Sequence, residues 1–158
     1  MNALKRGVSR LTALRLLLVA VGGFSLPTFS ADEAPGTGKW RVVNYWSEWC
    51  APCRIEIPML NALSLELAAH GVAVVGVNFD EDPRALTLEI AEELEIKFPV
   101  LTSEEVARLG LRPPDVLPTT YLLSPDGEAV AKLIGMQTDA EIRKQLLMKG
   151  ALLDDVKD

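Results

Sequence analysis

The chain has 158 residues, 49% of them hydrophobic and 24% charged. That is enough for one packed domain, and it excludes an intrinsically disordered chain. Of 16 cations, four fall in the first thirty residues and none of the 22 acids does; the remainder therefore carries 12 cations against 22 acids, a net −10, with no basic patch, which excludes nucleic acid as a partner.

Residues 1–30 begin with Lys5, Arg6, Arg10 and Arg15, continue through the apolar run LLLVAVGGF and end in small residues. This is the pattern of a secretory signal peptide, with cleavage after Ser30. An uncleaved membrane anchor is the alternative. Leu16 to Phe24 is short of the roughly 20 apolar residues a span needs, and Gly22, Gly23 and Pro27 weaken it as a helix. Export would place the domain in the periplasm, an oxidising compartment where cysteines are paired, reactive or metal-bound.

Residues 31–39 read as a flexible lead-in. RVVNYW (41–46) predicts a buried strand. A helix is expected over 51–69, with Ile55, Met59, Leu60, Leu63 and Leu67 on its buried face and Gly71 as C-cap. VAVVGVNF (72–79) is apolar enough for a strand covered on both faces. Asp82 is expected to cap a second helix, with Pro83 in its first position and a stripe of Leu86, Ile90 and Leu94.

FPVLT (98–102) suits a brief strand or extended turn. TSEE (102–105) is a capping-box pattern opening a short helix to about Gly110. TTYLL (119–123) and AVAKLI (129–134) form a hairpin through SPDGE, with Gly127 at positive φ. TDAE (138–141) is a second capping box, opening a helix to about Lys149 with Ile142 and Leu146 inward. The order β-α-β-α-(β)-α-β-β-α gives an α/β fold, a central mixed sheet with helices on both faces.

Cys50 and Cys53 are the chain's only cysteines. As a structural staple the pair is poor, because a four-residue ring is worth roughly 2 kcal/mol against about 3 for fifteen residues. As a metal site it supplies half a tetrahedral shell, and His70, the single histidine, stands far off at a helix end, where it reads as a surface residue. As a redox pair it has the right setting. The strand ends at residue 46 and the helix opens at about Cys50, so that sulfur meets unpaired N–H groups and the positive end of the helix dipole, open to solvent. Both favour the thiolate. Pro52 suits the first turn, and Cys53 can reach back, so Cys50 is the expected nucleophile and Cys53 the resolving thiol.

At these residues the chain resembles the thioredoxin superfamily, and within it the exported TlpA-like thiol–disulfide oxidoreductases, from about Trp40 to Met148. WCAPC (49–53) matches the W-C-x-P-C active site, Pro58 the proline inside the long active-site helix, and LPTTYLLSPDG (117–127) the cis-proline segment, with the cis bond on Pro118. The resemblance implies a thioredoxin-like domain over residues 40–158 and a docking surface formed by Trp49, Leu117 and Pro118. Asn44 stands where cytoplasmic thioredoxins have a buried Asp, and Glu56 matches a family Glu three residues after the second cysteine. Helical spacing puts Glu56 near Cys53, as a proton carrier for it or as a solvated first-turn residue. Two departures stand out: no room for the hairpin and short helix that precede the first strand in relatives, and a long approach, RPPDV (112–116), to Pro118.

No cation lies between the cysteines, and Glu48 and Glu56 add negative charge, so the residues lean towards a reductant or mild exchanger. The resemblance implies no cofactor beyond the Cys50–Cys53 disulfide, a monomer, a DsbD-type membrane exchanger as electron donor, and disulfide-bonded exported clients, apocytochromes c among them. A metal-binding assembly module and an oxidant of client thiols are the alternative readings.

Overall fold

The computed structural model describes residues 33–152. The segment read as a signal peptide lies outside the described residues, as do 153–158. The elements are β1 (Trp40–Trp46), α1 (Ala51–Ala68), β2 (Val72–Asn78), α2 (Arg84–Glu93), α3 (Ser103–Leu109), β3 (Thr119–Leu123), β4 (Ala129–Ile134) and α4 (Asp139–Met148). The sheet order is β2-β1-β3-β4, with β1 and β2 parallel and the other two pairs antiparallel. The expected 98–102 strand amounts to one parallel bridge, Val100 to Gly76.

Alternation along β1 divides the core. Val42 and its neighbours Val74 and Leu122 face Leu60, Leu63 and Leu67 of α1 and Ile142 and Leu146 of α4. Val43 and Tyr45, with Val75, Val77, Tyr121 and Leu123, face the opposite way, towards Val106 and Leu109 of α3. A third cluster joins Trp46 to both cysteines, Ile57, and Ile90 and Ala91 of α2. Gly76 is required here: a Cβ on it would stand 2.7 Å from the Trp46 indole nitrogen and 2.9 Å from the Phe98 ring.

Both capping boxes form as the sequence predicts: Thr102 with Glu105, and Thr138 with Glu141. Gly127 takes φ +84° in the hairpin turn. Three expectations need correction. Ile55 and Leu86 are exposed; the buried stripe of α1 runs through Cys53, Glu56, Ile57 and Leu60, and Thr87 takes the inward place in α2. Asp82 does not cap α2, which starts after Pro83 without a side-chain cap; its carboxylate instead accepts from Asn78 Nδ2 at 2.9 Å, and its carbonyl from Thr87 Oγ1. Gly71 has φ +74° but sits two residues past the C-cap of α1, Ala69. The lead-in is a pair of turns, closed by Thr37 and Lys39 N–H groups on Ala34 and Gly36 carbonyls, with Gly36 packed on Arg41.

Candidate active site around the Cys50–Cys53 pair

Burial of Trp46 anchors the end of β1, and a tight turn follows in which the Cys50 N–H donates to the Ser47 carbonyl at 3.2 Å. Cys50 is the N-cap of α1, in extended conformation, and its Sγ accepts from the Cys53 N–H at 3.3 Å. A sulfur therefore holds the place that a Ser or Asp oxygen commonly fills at a helix start. It meets an otherwise unpaired N–H and the positive end of the dipole, the arrangement that stabilises a thiolate. Cys50 and Cys53 are joined as a disulfide. The solvent-open sulfur expected at position 50 is not seen in this oxidised form: Cys50 is 3% exposed and Cys53 1%, shielded by Trp46, Ile57 and Leu117.

Glu56 lies on the same buried stripe of α1 as Cys53 and is 2% exposed, so it is not a solvated first-turn residue. Its Oε1 accepts from the Gln137 N–H at 3.2 Å, and Asn44 Nδ2, 3.5 Å from Oε2, also donates to Thr120 Oγ1 at 3.1 Å. Asn44 and Thr120 are cross-strand partners, so the sheet register sets this contact. Burial pushes the Glu56 carboxyl up to about 7, and the two hydrogen bonds only moderate the rise. A carboxyl poised there exchanges protons readily at neutral pH.

The remaining predicted residues are Trp49, Leu117 and Pro118. Trp49 is 67% exposed and held by two contacts: its Nε1 donates to Asp80 Oδ1 at 3.0 Å, and its ring meets Phe79 edge to face. The Leu117–Pro118 bond is cis, Leu117 packs partly against the cysteine cluster, and the Pro118 carbonyl accepts from the Gly135 N–H at 2.8 Å. The long RPPDV approach is tied down by the Tyr121 hydroxyl on the Arg112 carbonyl and Thr119 Oγ1 on the Val116 carbonyl.

Sequence reasoning missed Asp80, Ser47, Arg54 and Gln137. Asp80 accepts from Ser47 Oγ at 2.5 Å as well as from Trp49, so the end of β2 clamps the active-site turn. Arg54 grips the same turn, with Nε and Nη2 on the Glu48 carbonyl at 3.0 and 2.7 Å. Asp80 and Gln137 lie about 30 and 90 residues from the cysteines along the chain, and no local spacing marks them. Arg54 was legible as a cation beside Cys53; with Glu56 only partly ionised near pH 7, it makes the surroundings of the pair less negative than Glu48 and Glu56 alone suggest.

The AhpC/TSA family model matches residues 23–132. The thiol-disulfide oxidoreductase ResA of Bacillus cereus (strain ZK / E33L) is 32% identical over 109 residues, 69% of this chain and 62% of that protein. The thiol:disulfide interchange protein DsbE of Pseudomonas fluorescens biotype C is 32% identical over 140 residues, 85% of this chain and 76% of its own. The match thus spans somewhat less than two thirds of that Bacillus cereus ResA. In fold, the chain is similar to StoA from Bacillus subtilis, with a TM-score of 0.57 at 22% identity over 70% of this chain and 84% of that one. It is also similar to a DsbF homologue from Corynebacterium diphtheriae, with a TM-score of 0.56 at 28% identity over 68% and 70%.

Proposed function

The chain belongs to the AhpC/TSA family, with a thioredoxin-like fold, and from that premise we propose that it is a thiol–disulfide oxidoreductase of exported proteins, working mainly as a reductase. The observation that carries the reading is the sulfur of Cys50 at the N-cap of α1, bonded to Cys53 and receiving its N–H, with Glu56 on the same stripe.

In the reduced protein the Cys50 thiolate attacks one sulfur of a client disulfide. A mixed disulfide forms, and the other client sulfur leaves as a thiolate and takes a proton from solvent. Cys53 loses its proton to Glu56 and attacks Cys50 Sγ, which releases the second client thiolate. The client has gained two electrons, and the protein is left with the Cys50–Cys53 disulfide seen here. A dithiol donor must then return two electrons, and a DsbD-type membrane exchanger fits that need in the periplasm, where the basic and apolar start of the chain would deliver it. Trp49, Leu117 and Pro118 serve in this reading as the docking surface, which is supported by Trp49 preceding Cys50 and by Leu117 packing against the cysteine cluster. Disulfide-bonded exported proteins, apocytochromes c among them, are the proposed clients. Reduction is favoured by the absence of a cation between the cysteines, since strong oxidants stabilise their thiolate form.

The test is a Cys53→Ser variant, expected to accumulate mixed disulfides through Cys50, alongside a measured reduction potential for the wild type. Capture of no client, with wild-type protein inert towards model disulfides, would sink the enzyme reading. A potential near about −120 mV would reverse its direction.

A further inference from the structure

A cleft of about 640 Å³ opens beside the active-site turn, between the ends of β1 and β2 and helix α3. It lies within the range of small-ligand pockets and plays no part in the exchange chemistry above. Its walls are apolar, chiefly Val77, Phe79, Leu101 and Val106, while Glu81, Asp82 and Glu104 supply carboxylates. The lining's one cation, Arg84, is already spent on the Val100 and Leu101 carbonyls. Tyr45 lines the same cleft, and its hydroxyl is buried without any hydrogen-bond partner, in a residue only 2% exposed. A buried hydroxyl left unpaired costs about 1–3 kcal/mol, so it marks a place where a partner is missing. Glu81, another lining residue, takes a left-handed backbone at φ +54°, unusual for a residue with a side chain.

Among these polar groups the charge is all negative once Arg84 is set aside: the carboxylates of Glu81 and Glu104, and that of Asp82, which also accepts from Asn78 Nδ2, beside neutral side chains such as Ser103 and the Tyr45 hydroxyl, which can donate or accept. The complementary ligand brings donors and positive charge on an apolar stem, which describes an arginine or lysine side chain. Phe79 forms one wall, and its ring meets Trp49, the residue before Cys50, with centroids 6.4 Å apart. At about 3.3 Å per residue, the 6.4 Å between the Trp49 and Phe79 rings is about two residues of extended chain, so a client bonded to Cys50 and running past Trp49 would meet the Phe79 wall some two to four residues from its own cysteine.

We propose that this cleft is a specificity pocket that receives a basic side chain of the client polypeptide, two to four residues from the cysteine under attack. The proposal rests on the exchange reading for its context, and its test keeps the two apart. Peptide disulfides identical except for Arg, norleucine or Glu at that distance are reduced under single-turnover conditions, with hydroxyethyl disulfide as a substrate too small to reach the cleft. The Arg peptide is expected to exceed the Glu peptide by about three- to tenfold in the second-order rate constant, the range for exposed ion pairs and cation–π contacts. The preference should vanish in the Glu81→Gln/Glu104→Gln variant and shrink in Tyr45→Phe, with hydroxyethyl disulfide reduced equally by all. Equal rates for the peptides, or a preference that survives the Gln variant, would overturn the proposal. Independently of any exchange, a cysteine-free Arg peptide should shift the methyl resonances of Val77, Leu101 and Val106, and the matching Glu peptide should not. Should hydroxyethyl disulfide go unreduced, that shift supports the pocket while the exchange reading fails. Identical spectra with both peptides overturn the pocket.

Discussion

Replacing Glu56 by Gln tests the burial argument directly. The carboxyl has an ordinary value of 4.5 and about 7 in the fold, with burial the first cause. The native state therefore holds this proton more tightly than the unfolded chain does. Glu56 contributes its full stability below about pH 4.5, and that contribution is lost as pH rises through about 7. At 1.36 kcal/mol per pH unit the loss is about 3 kcal/mol. Gln cannot ionise, so Glu56→Gln should abolish this part of the decline. Its Oε1 can still accept from the Gln137 N–H, but its amide nitrogen would then face Asn44 Nδ2, which lowers the variant at every pH by a constant amount. The slope is accordingly diagnostic and the offset is not. Urea unfolding of the oxidised proteins at pH 4.5, 6 and 8 should bring the two midpoints together, or carry the variant past wild type, as pH rises. Parallel curves over this range would refute the claim that the fold raises this carboxyl. In kinetics, resolution of the mixed disulfide by Cys53 should slow by about 10²-fold or more in the variant if Glu56 carries the proton.

Other perturbations probe the frame around the pair. Gly76→Ala forces a Cβ against Trp46 and Phe98 and should cost about 1–3 kcal/mol by denaturant unfolding. Asp80→Ala removes the acceptor for the buried Ser47 hydroxyl and for Trp49; about 1–3 kcal/mol should be lost, and the indole resonance of Trp49 should broaden or move. Thr138→Ala breaks the capping box of α4 and should cost about 1 kcal/mol, with no change in exchange rate measured on hydroxyethyl disulfide.

Much of the frame was legible because it is local. Continuous apolar runs marked β1 and β2, and both capping boxes and the Gly127 turn follow from residues within four positions of each other. The position of Cys50 followed equally simply, from a strand that ends and a helix that begins. The helix faces were harder. Ile55 and Leu86 fit an apolar spacing, yet the sheet lies on the other side of α1 and the inward place in α2 goes to Thr87, which bonds Asn78 and the Asp82 carbonyl.

The sequence by itself determined the redox pair, the helix start beneath it and the alternation of elements, because each depends on neighbours along the chain. Tertiary structure alone decided that the Cys50 sulfur is covered, that Glu56 is a buried acid near neutrality and that Asp80 ties Trp49 in place. It also decided that Tyr45 keeps an unpaired hydroxyl beside a cleft. The physical reason is shared: desolvation and hydrogen bonding are set in large part by groups distant along the chain, such as Asp80, Leu117 and Gln137, and no periodicity encodes them.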